Sequence, residues 1–532
     1  MNLTELNKSI NTKRKNAILL ETLNFQKRLA ARLQEPDYPF YEKLTMIKII
    51  FNNINEHFTM KLSKAGRKVN QIAKYAVEAL YNELDDYILG EISKYLEEIG
   101  NPDNMMSEIG RIVEEASVKV LYPYYKEANQ VVILTNVSDD SLSPEFFENH
   151  NLNIDEYERF QWIRIPGLIL NIDKVINLLK MDMYKDKYSF PPVEINSSVY
   201  SLSDVFEKDI VFRTPYHSYD AVLYFMEQCL MNPYLDMIFM TLYRTADNSK
   251  IVQLLCEYGK RSPYKYIGVF VEPNASGDEA KNSQIVKTLR QNGVHVFYEN
   301  DFKIHSKLFL ATSTSKSLYF AHFATGNYNE NSAKCYTDIH LLTADTAKVI
   351  PALNMFLQHV CKSGISSTNI ETNRIWFSPI NLKSTLLGLI KSETNKGSDG
   401  KIILKMNSLA DQEIIDYLVE AADHGVNIKI IVRSICLMDS LIYPNIQIES
   451  YCGRYLEHDR IYQFGDRVFI ASADLSFRNL HKRIESLIEI DQENSKSEVL
   501  SVLNELRIIN KYRFVKNPNY EDDQWECIPN DQ

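Results

Sequence analysis

Two short segments of the chain combine a histidine with a basic residue two positions later. His305 precedes Lys307 in the segment KIHSKLFL, and His458 precedes Arg460 in the segment EHDRIY. A neighbouring positive charge disfavours imidazolium and leaves a neutral ring nitrogen, which can attack phosphorus. A single histidine in a strand is most often a structural or solvated residue, but this chain contains the pair of histidine and cation twice.

Both segments are predicted to be β-strands. A side-chain period of two places His305 and the lysines of 303–310 on one face, and the isoleucine and leucines on the other. The first strand is therefore expected to have a cationic face and a core face. The same count places His458, Arg460 and Tyr462 on one face of the second segment.

A similar strand, helix and strand precede each histidine segment, over 237–271 and 402–432. Ser249 and Asp411 are candidate helix N-caps, and Gly425 is a candidate helix stop. Such units occur in any α/β protein, but the matching histidine segments downstream favour a duplication. We predict a multi-domain α/β protein with largely parallel sheets and two related halves.

The pattern along the chain changes twice. Apolar residues recur every three or four positions from Leu19 to about Ile99, which is typical of helices. Short apolar strands are predicted at 131–134 and near 162–165. We predict four domains: a helical N-terminal domain over 1–105, a small mixed α+β segment over 106–200, and two α/β catalytic domains over 201–368 and 369–532.

Composition limits the classes of partner. The 532 residues include 59 Lys and Arg against 70 Asp and Glu, a formal net charge of −11. No global positive field can hold nucleic acid or an anionic membrane, so any polyanion site must be a local basic pocket. Seven scattered cysteines without C-x-x-C favour neither disulfides nor zinc. With no signal-like or membrane-spanning apolar run, we expect a cytoplasmic protein without a nucleic-acid partner or membrane span.

A histidine with a cation two residues later, present twice in a duplicated α/β chain, resembles the phospholipase D superfamily. In that superfamily both histidines meet at a pseudo-twofold axis, and one becomes phosphorylated. Its phosphodiesterases also have an Asp five residues after the Lys, where this chain has Thr312 and Gly465. The resemblance therefore implies phospholipase D-like domains, whereas the absence of this Asp disfavours simple phosphodiester hydrolysis.

Longer motifs resemble the ATP-dependent polyphosphate kinase family, the type with phosphohistidine chemistry. The resemblance extends from about residue 211 to 490, is weaker over 23–62 and is poor over 106–200. The motifs that carry it are AHFATGNYN at 321–329, AKCYTD at 333–338, LLTAD at 341–345 and YLEHDR at 455–460.

The resemblance implies a role for individual residues. His305 would attack the γ-phosphoryl group of ATP and pass it reversibly to polyphosphate. His458 would contact the nucleotide and assist as an acid or as an electrostatic stabiliser. Tyr336 and Arg433 match nucleotide-contacting positions, and Asn53 matches an adenine-contacting Asn in the helical domain. The alternatives are a packed core aromatic for Tyr336 and a helix cap or solvated residue for Asn53.

Phosphoryl transfer needs positive charge around the equatorial oxygens, for which Lys307 and several arginines are candidates. Mg²⁺ is expected with ATP, and the family assigns it to two arginine positions. Arginine has no lone pair to donate, so we interpret both positions as phosphate ligands beside the metal. The first matches Arg244, whereas the second is Ser276, which removes a fixed positive charge. The other arginine candidates are Arg433, Arg460 and Arg478. For any single arginine a surface salt bridge is the default interpretation, but the position inside family motifs overrides that default for Arg244 and Arg433, and less strongly for Arg478.

The leading hypothesis is a compact polyphosphate kinase whose partners are ATP, ADP and inorganic polyphosphate. Two alternatives stay open: a phospholipase D-like phosphodiesterase or nuclease, and a turnover-deficient protein that binds polyphosphate or nucleotide. In the family, the head domain supports dimerisation. The segment 106–200, which occupies the corresponding place in this chain, is shorter than that domain. The oligomeric state, including a homo-oligomer, is therefore left open.

Overall fold

The structure is a computed structural model. The predicted helical domain over 1–105, most of the segment 106–200, and the candidate residues Asn53, Arg244 and Ser276 lie outside the residues that it describes. The structure describes residues 131–135, 160–164, 194–243, 248–272, 279–298, 302–313, 315–360, 374–438, 445–451, 455–509, 512–516 and 525–529.

The chain divides into two compact units, one of which is Leu29–Pro191. Within this unit the structure describes two parallel strands, β1 (Val131–Thr135) and β2 (Phe160–Arg164), with Val131 opposite Phe160. Both of the short apolar strands predicted for the middle segment are therefore present.

The other unit contains the two related halves, and its first half is a mixed sheet with helices between the strands. Its elements are α1 (Leu202–Glu207), β3 (Ile210–Thr214), α2 (Asp220–Met231), β4 (Met237–Leu242), α3 (Lys250–Arg261), β5 (Tyr266–Val271), α4 (Glu279–Gln291), β6 (His295–Phe297), β7 (Lys303–Ile304), β8 (Leu308–Thr312), β9 (Tyr319–Ala324), β10 (Tyr336–Thr343) and α5 (Thr346–Val360).

The second half repeats most of the order of the first from β3 onward, and it ends in an additional pair of strands. Its elements are β11 (Ile375–Ser378), α6 (Leu382–Thr394), β12 (Lys401–Leu409), α7 (Gln412–Asp423), β13 (Asn427–Cys436), β14 (Ile446–Tyr451), β15 (Leu456–Glu457), β16 (Ile461–Phe464), β17 (Arg467–Ala471), α8 (Phe477–His481), β18 (Arg483–Ile490), α9 (Glu493–Ile509), β19 (Tyr512–Lys516) and β20 (Trp525–Pro529). Unlike the first half, its described residues include no helix between β13 and β14.

Both sheets combine parallel and antiparallel strands. The first has the order β15-β10-β9-β8-β4-β5-β6, and β3 also pairs with β10; the second has the order β11-β18-β17-β16-β12-β13-β14-β19-β20, and β7 also pairs with β18. The expectation of largely parallel sheets is wrong, because β8, β9 and β10 pair antiparallel with one another in sequence order, as do β16, β17 and β18. The α/β class and the duplication are confirmed.

The two histidine segments cross from one sheet to the other. β7, just before His305, pairs with β18 of the second half, whereas β8, just after it, belongs to the first sheet. In the same way β15, just before His458, pairs with β10, whereas β16 belongs to the second sheet. The continuous strands expected through both histidines are therefore interrupted at 305–307 and 458–460, because the chain changes sheets there.

Hydrophobic packing joins the two halves. Each half has its own core of helix and strand residues, and a third core takes residues from both halves and from α5 and α9. Sharing this core fixes the relative position of the two sheets, because a close-packed interior resists shear. Its members include Phe239, Leu310 and Phe323 from the first half, and Phe377, Ile461 and Ile488 from the second.

The predicted helix boundaries are confirmed. Ser249 caps α3 by accepting a hydrogen bond from the N–H of Val252, and Asp411 caps α7 by accepting one from Ile414. Gly425 follows α7 with φ at 88°, a backbone conformation that glycine adopts without steric cost. Among the described helices, none is both long and apolar enough to cross a membrane.

A buried lysine fastens α5 to both halves. The ammonium of Lys348 lies 3.0 Å from Asp209, 2.7 Å from Asp345 and 2.6 Å from Asp491, and its side chain is 0% exposed. Removal of one partner from a buried ionic cluster leaves uncompensated charge in the interior, which is strongly destabilising.

We expect Lys348→Met to lower the free energy of unfolding by about 3–5 kcal/mol. The control is Arg467→Gln, which breaks a pair with Glu489 whose arginine is 45% exposed; a loss of about 1 kcal/mol or less is expected there. Thermal and denaturant unfolding measure the loss of stability in both variants. Equal losses would contradict the stabilising role assigned to the Lys348 cluster.

Candidate functional site

The crossover from β7 to β8 fixes the position of His305. The N–H groups of His305 and Ser306 both donate to the carbonyl of Ile484, at 3.0 and 2.8 Å. Ile484 belongs to β18, so the backbone around this histidine is held by the other half of the molecule.

A buried carboxylate holds the His305 ring. Nδ1 of His305 lies 2.8 and 2.9 Å from the two carboxylate oxygens of Glu485, whose side chain is 0% exposed. Glu485 also accepts a hydrogen bond of 2.6 Å from the hydroxyl of Ser472. A carboxylate at Nδ1 favours the tautomer with its proton on that nitrogen, so Nε2 keeps a lone pair.

Lys307 lies against the same imidazole. Its ammonium donates to the carbonyl oxygen of His305 and lies 2.9 Å from Nδ1. Nδ1 cannot both donate to Glu485 and accept from Lys307, so an ionised Glu485 leaves Lys307 bonded to the carbonyl and available to an anion.

Burial and nearby cations keep His305 neutral. Burial, followed by the charges of Lys307 and Arg483, holds the pKa of His305 well below 6.5. Burial lowers the pKa of Lys307 to about 7, although Glu485 opposes this shift. Burial raises the pKa of Glu485 to about 6 against the opposing charges of Lys307 and Arg483. A neutral imidazole among cations is the form that acts as a nucleophile.

The second crossover builds a related arrangement around His458. Its N–H donates to the hydroxyl of Thr337 at 3.1 Å, and its Nδ1 lies 2.8 Å from Asp338. Thr325 donates to the same carboxylate oxygen at 2.8 Å, as Ser472 donates to Glu485.

Close packing around Asp338 requires a glycine. A Cβ placed on Gly326 would lie 2.0 Å from a carboxylate oxygen of Asp338 and 2.2 Å from its carboxyl carbon. Residue 326 must therefore have no side chain if Asp338 is to reach His458.

Arg460 occupies the place that Lys307 has in the first half. Its guanidinium donates to the carbonyl of His458 at 2.6 Å and to that of Thr325 at 3.3 Å, and it pairs with Asp474 at 3.2 Å. Burial lowers the pKa of His458 to about 4; Asp338 opposes this shift and Arg460 adds to it.

Tyr336 and Arg433 lie in the same cluster. The Tyr336 ring centroid is 5.3 Å from that of His458. Nε and Nη1 of Arg433 are buried, and within the described part of the chain they have no hydrogen-bond partner. Burial lowers the pKa of Arg433, and the charge of Arg460 adds to the shift. An unsatisfied buried guanidinium is suited to binding an anion.

The structure brings most of the sequence candidates into one site. The charges of Arg460 and Arg478 lower the pKa of His305, which places both arginines within electrostatic range of it. Arg478 is exposed on α8. One expectation is wrong: Tyr462 does not share a cationic face with His458, because its ring is 0% exposed and its hydroxyl donates to the carbonyl of Ala473 at 2.6 Å.

Sequence reasoning missed the two carboxylates. Asp338 and Glu485 each lie at the third position of a long strand, in YTDIHLLT and RIESLIEI, where an acidic residue interrupts an apolar pattern. Each strand follows a hydroxyl residue that bonds to its carboxylate, in ATGN and ASAD. Alignment of the two halves beyond the histidines would have found this repeat.

Comparison with known proteins agrees with this geometry. The family models for polyphosphate kinase C-terminal domains 1 and 2 match residues 201–363 and 375–519, together more than half of the chain. A polyphosphate kinase from Campylobacter jejuni (strain RM1221) is 34% identical over 392 residues, covering 71% of this chain and 55% of that protein. One from Halalkalibacterium halodurans is 36% identical over 354 residues, covering 62% and 49%.

The fold agrees as well. The crystal structure of polyphosphate kinase from Porphyromonas gingivalis superposes with a TM-score of 0.68 at 19% identity, covering 95% of this chain and 94% of that one. The chain spans about half the length of the curated relatives that it matches. With both C-terminal domains matched in order and each histidine held by the other half, the chain belongs to the polyphosphate kinase family.

Proposed function

We propose that this chain catalyses reversible transfer of the γ-phosphoryl group of ATP to the end of a polyphosphate chain, through a phosphohistidine on His305. The observation that carries the proposal is the neutral His305 ring, bonded to Glu485 through Nδ1 and surrounded by Lys and Arg charges. Family membership supports the same activity.

The two half-reactions balance at His305. Nε2 attacks the γ-phosphorus, the N–P bond forms, and the bond to the bridging oxygen breaks, so ADP leaves with the electron pair. A terminal oxygen of polyphosphate then attacks the phosphorus, and the N–P bond breaks. Glu485 holds the Nδ1 proton throughout and offsets the positive charge on the phosphorylated ring.

Cations neutralise the transferring group. Lys307 and Arg460 flank the two histidines, and Arg433 has buried donors without partners in the described residues. Arg478 is the exposed candidate for contact with the polymer. Their charges suit the equatorial oxygens of a phosphoryl group, where negative charge is spread in the transition state.

His458 stabilises the leaving oxygen. It is neutral in the free protein, because its pKa is lowered to about 4, mainly by burial. Negative phosphates bound beside it would raise that pKa and favour the protonated ring. Tyr336, 5.3 Å away between ring centroids, and Arg433 contact the nucleotide.

Mg²⁺ would enter with ATP, and its charge would offset part of the charge on the phosphates. The described residues contain no group of three or more His, Cys, Asp or Glu side chains that could hold a metal ion. The site is lined with cations, which fit the phosphates and not the metal itself. We propose that the described cations would hold the phosphates of the ATP that carries Mg²⁺, and that the chain is a cytoplasmic enzyme acting on ATP, ADP and polyphosphate.

Incubation with ATP labelled on the γ-phosphate is expected to give acid-labile, base-stable protein label and long-chain polyphosphate. His305→Ala should lose both by at least about 1000-fold, because no other group replaces the nucleophile. ATP binding, measured separately, should persist in the variant. Bound ATP without label or polymer in the wild type would instead support a nucleotide-binding protein.

The pH dependence of kcat/KM for ATP is expected to be bell-shaped. Activity should rise as Glu485 ionises, near its pKa of about 6, and fall as Lys307 loses its proton, near its pKa of about 7. Glu485→Gln should remove the acid limb, and Lys307→Arg should remove the alkaline limb, because arginine stays protonated. An acid limb that persists in Glu485→Gln would assign that ionisation to another group.

Gly326→Ala is expected to lower kcat by about 10- to 100-fold, because the new Cβ displaces Asp338 and with it the His458 ring. The matched control is Gly388→Ala in α6, where nothing lies within 4 Å of the added carbon. That change should leave kcat unaltered. Steady-state kinetics on both variants checks this, and equal kcat values would contradict the role assigned to Asp338.

A further inference from the structure

A buried ionic cluster of Lys405, Glu457 and Asp459 lies beside the His458 segment. The ammonium of Lys405, on β12, is 2.9 Å from an oxygen of Glu457 and also donates to Asp459. The three side chains are 2%, 7% and 0% exposed. Glu457 and Asp459 flank His458 in an extended segment, so both neighbours of the histidine are fastened to the same lysine.

One hydroxyl connects this ionic cluster to the His458 backbone. Thr337 Oγ1 donates to Glu457 at 3.2 Å and accepts from the N–H of His458 at 3.1 Å. The next residue along β10, Asp338, holds Nδ1 of the ring at 2.8 Å. The His458 ring and the His458 backbone are thus both bonded to residues of β10. The ionic cluster holds Glu457 and Asp459, the residues on either side of the histidine.

Stability does not account for this ionic cluster. Burial raises the pKa of Asp459 against the opposing charges of Lys405 and Arg213. Oδ2 of Asp459, and Nε and Nη2 of Arg213, are buried without a hydrogen-bond partner among the residues described. Buried charges and unsatisfied polar atoms cost free energy, and well-packed uncharged residues in their place are often neutral or stabilising.

The first half makes the same crossover without these charges. The strand registers define the equivalent positions, because β4 pairs with β8 as β12 pairs with β16, and β7 pairs with β18 as β15 pairs with β10. Lys405 corresponds to Thr241, Glu457 to Ile304, and Asp459 to Ser306.

Hydrogen bonds of neutral groups suffice in the first half. The Thr241 hydroxyl donates to the carbonyl of Ser306 at 2.7 Å and accepts from the N–H of Leu308 at 3.0 Å. The backbone geometry of the crossover therefore does not require an ionic cluster, and the charges are particular to the His458 side.

We propose that the ionic cluster positions His458 for phosphoryl transfer, and that Lys405 is a positioning residue of this enzyme. This inference rests on the function proposed above, because it assigns His458 a part in the reaction. Arriving phosphates attract Arg460 and His458, whereas a lysine bonded to both neighbours of the histidine resists that pull. A displacement of about 1 Å at a reacting group can cost 100-fold in rate.

The test replaces the ionic cluster by the residues of the first half. The triple variant Lys405→Thr, Glu457→Ile, Asp459→Ser removes all three charges together, and the neighbouring Arg213 keeps its 3.1 Å pair with Glu505. We expect kcat to fall about 10- to 100-fold, KM for ATP to stay within about threefold, because Tyr336 and Arg433 are untouched, and the thermal midpoint to stay within about 4 °C.

Two comparisons separate positioning from a general structural effect. In a His458→Ala background, the triple change should cause less than about a twofold further loss of single-turnover labelling, because the group that it positions is absent. Lys396→Met removes the 2.6 Å pair with Glu393, elsewhere in the second half, and should leave kcat unchanged.

Three results would overturn the inference. They are an unaltered kcat in the triple variant, a fall in kcat that accompanies a large loss of thermal stability, and the same fold loss with and without His458. Failure of the proposed function can be distinguished from these three results, because the wild type itself would then form neither phosphohistidine label nor polyphosphate.

Discussion

Each of the two histidines bonds to a carboxylate from the other half of the molecule. His305 of the first half is held by Glu485 of the second, and His458 of the second by Asp338 of the first. The exchange follows from the backbone, since β7 pairs with β18 and β15 with β10. Neither half alone can position an imidazole, so the site exists only where the two sheets meet, and the shared core between them keeps it in place.

This arrangement also concentrates positive charge at one place in a chain of net charge −11. Lys307 and Arg460 are buried beside the histidines, where charges interact strongly because water does not screen them. Their burial, together with that of the histidines, keeps both imidazoles neutral at physiological pH. The polyanion binding proposed above therefore depends on local charge density and not on overall charge.

Duplication gives two histidines with similar carboxylate partners, and the halves differ in the polar groups around them. Thr241 and Ser306 secure the first crossover with neutral hydrogen bonds, whereas Lys405 and Asp459 secure the second with buried charge. Under the proposed function, similar backbones with different polar content would allow one histidine to carry a phosphoryl group while the other is held against the nucleotide.

The sequence by itself determined the α/β class, the duplication, the helix caps at Ser249 and Asp411, and the pairing of each histidine with a cation, because these depend on local pattern and spacing. It also gave the family, through long ordered motifs. Only the tertiary structure decided that the histidine strands break and change sheets, that Tyr462 is a core residue, and that Asp338 and Glu485 are the partners of His458 and His305. Those contacts join residues 120 and 180 positions apart, and no local periodicity records a pairing across such a separation.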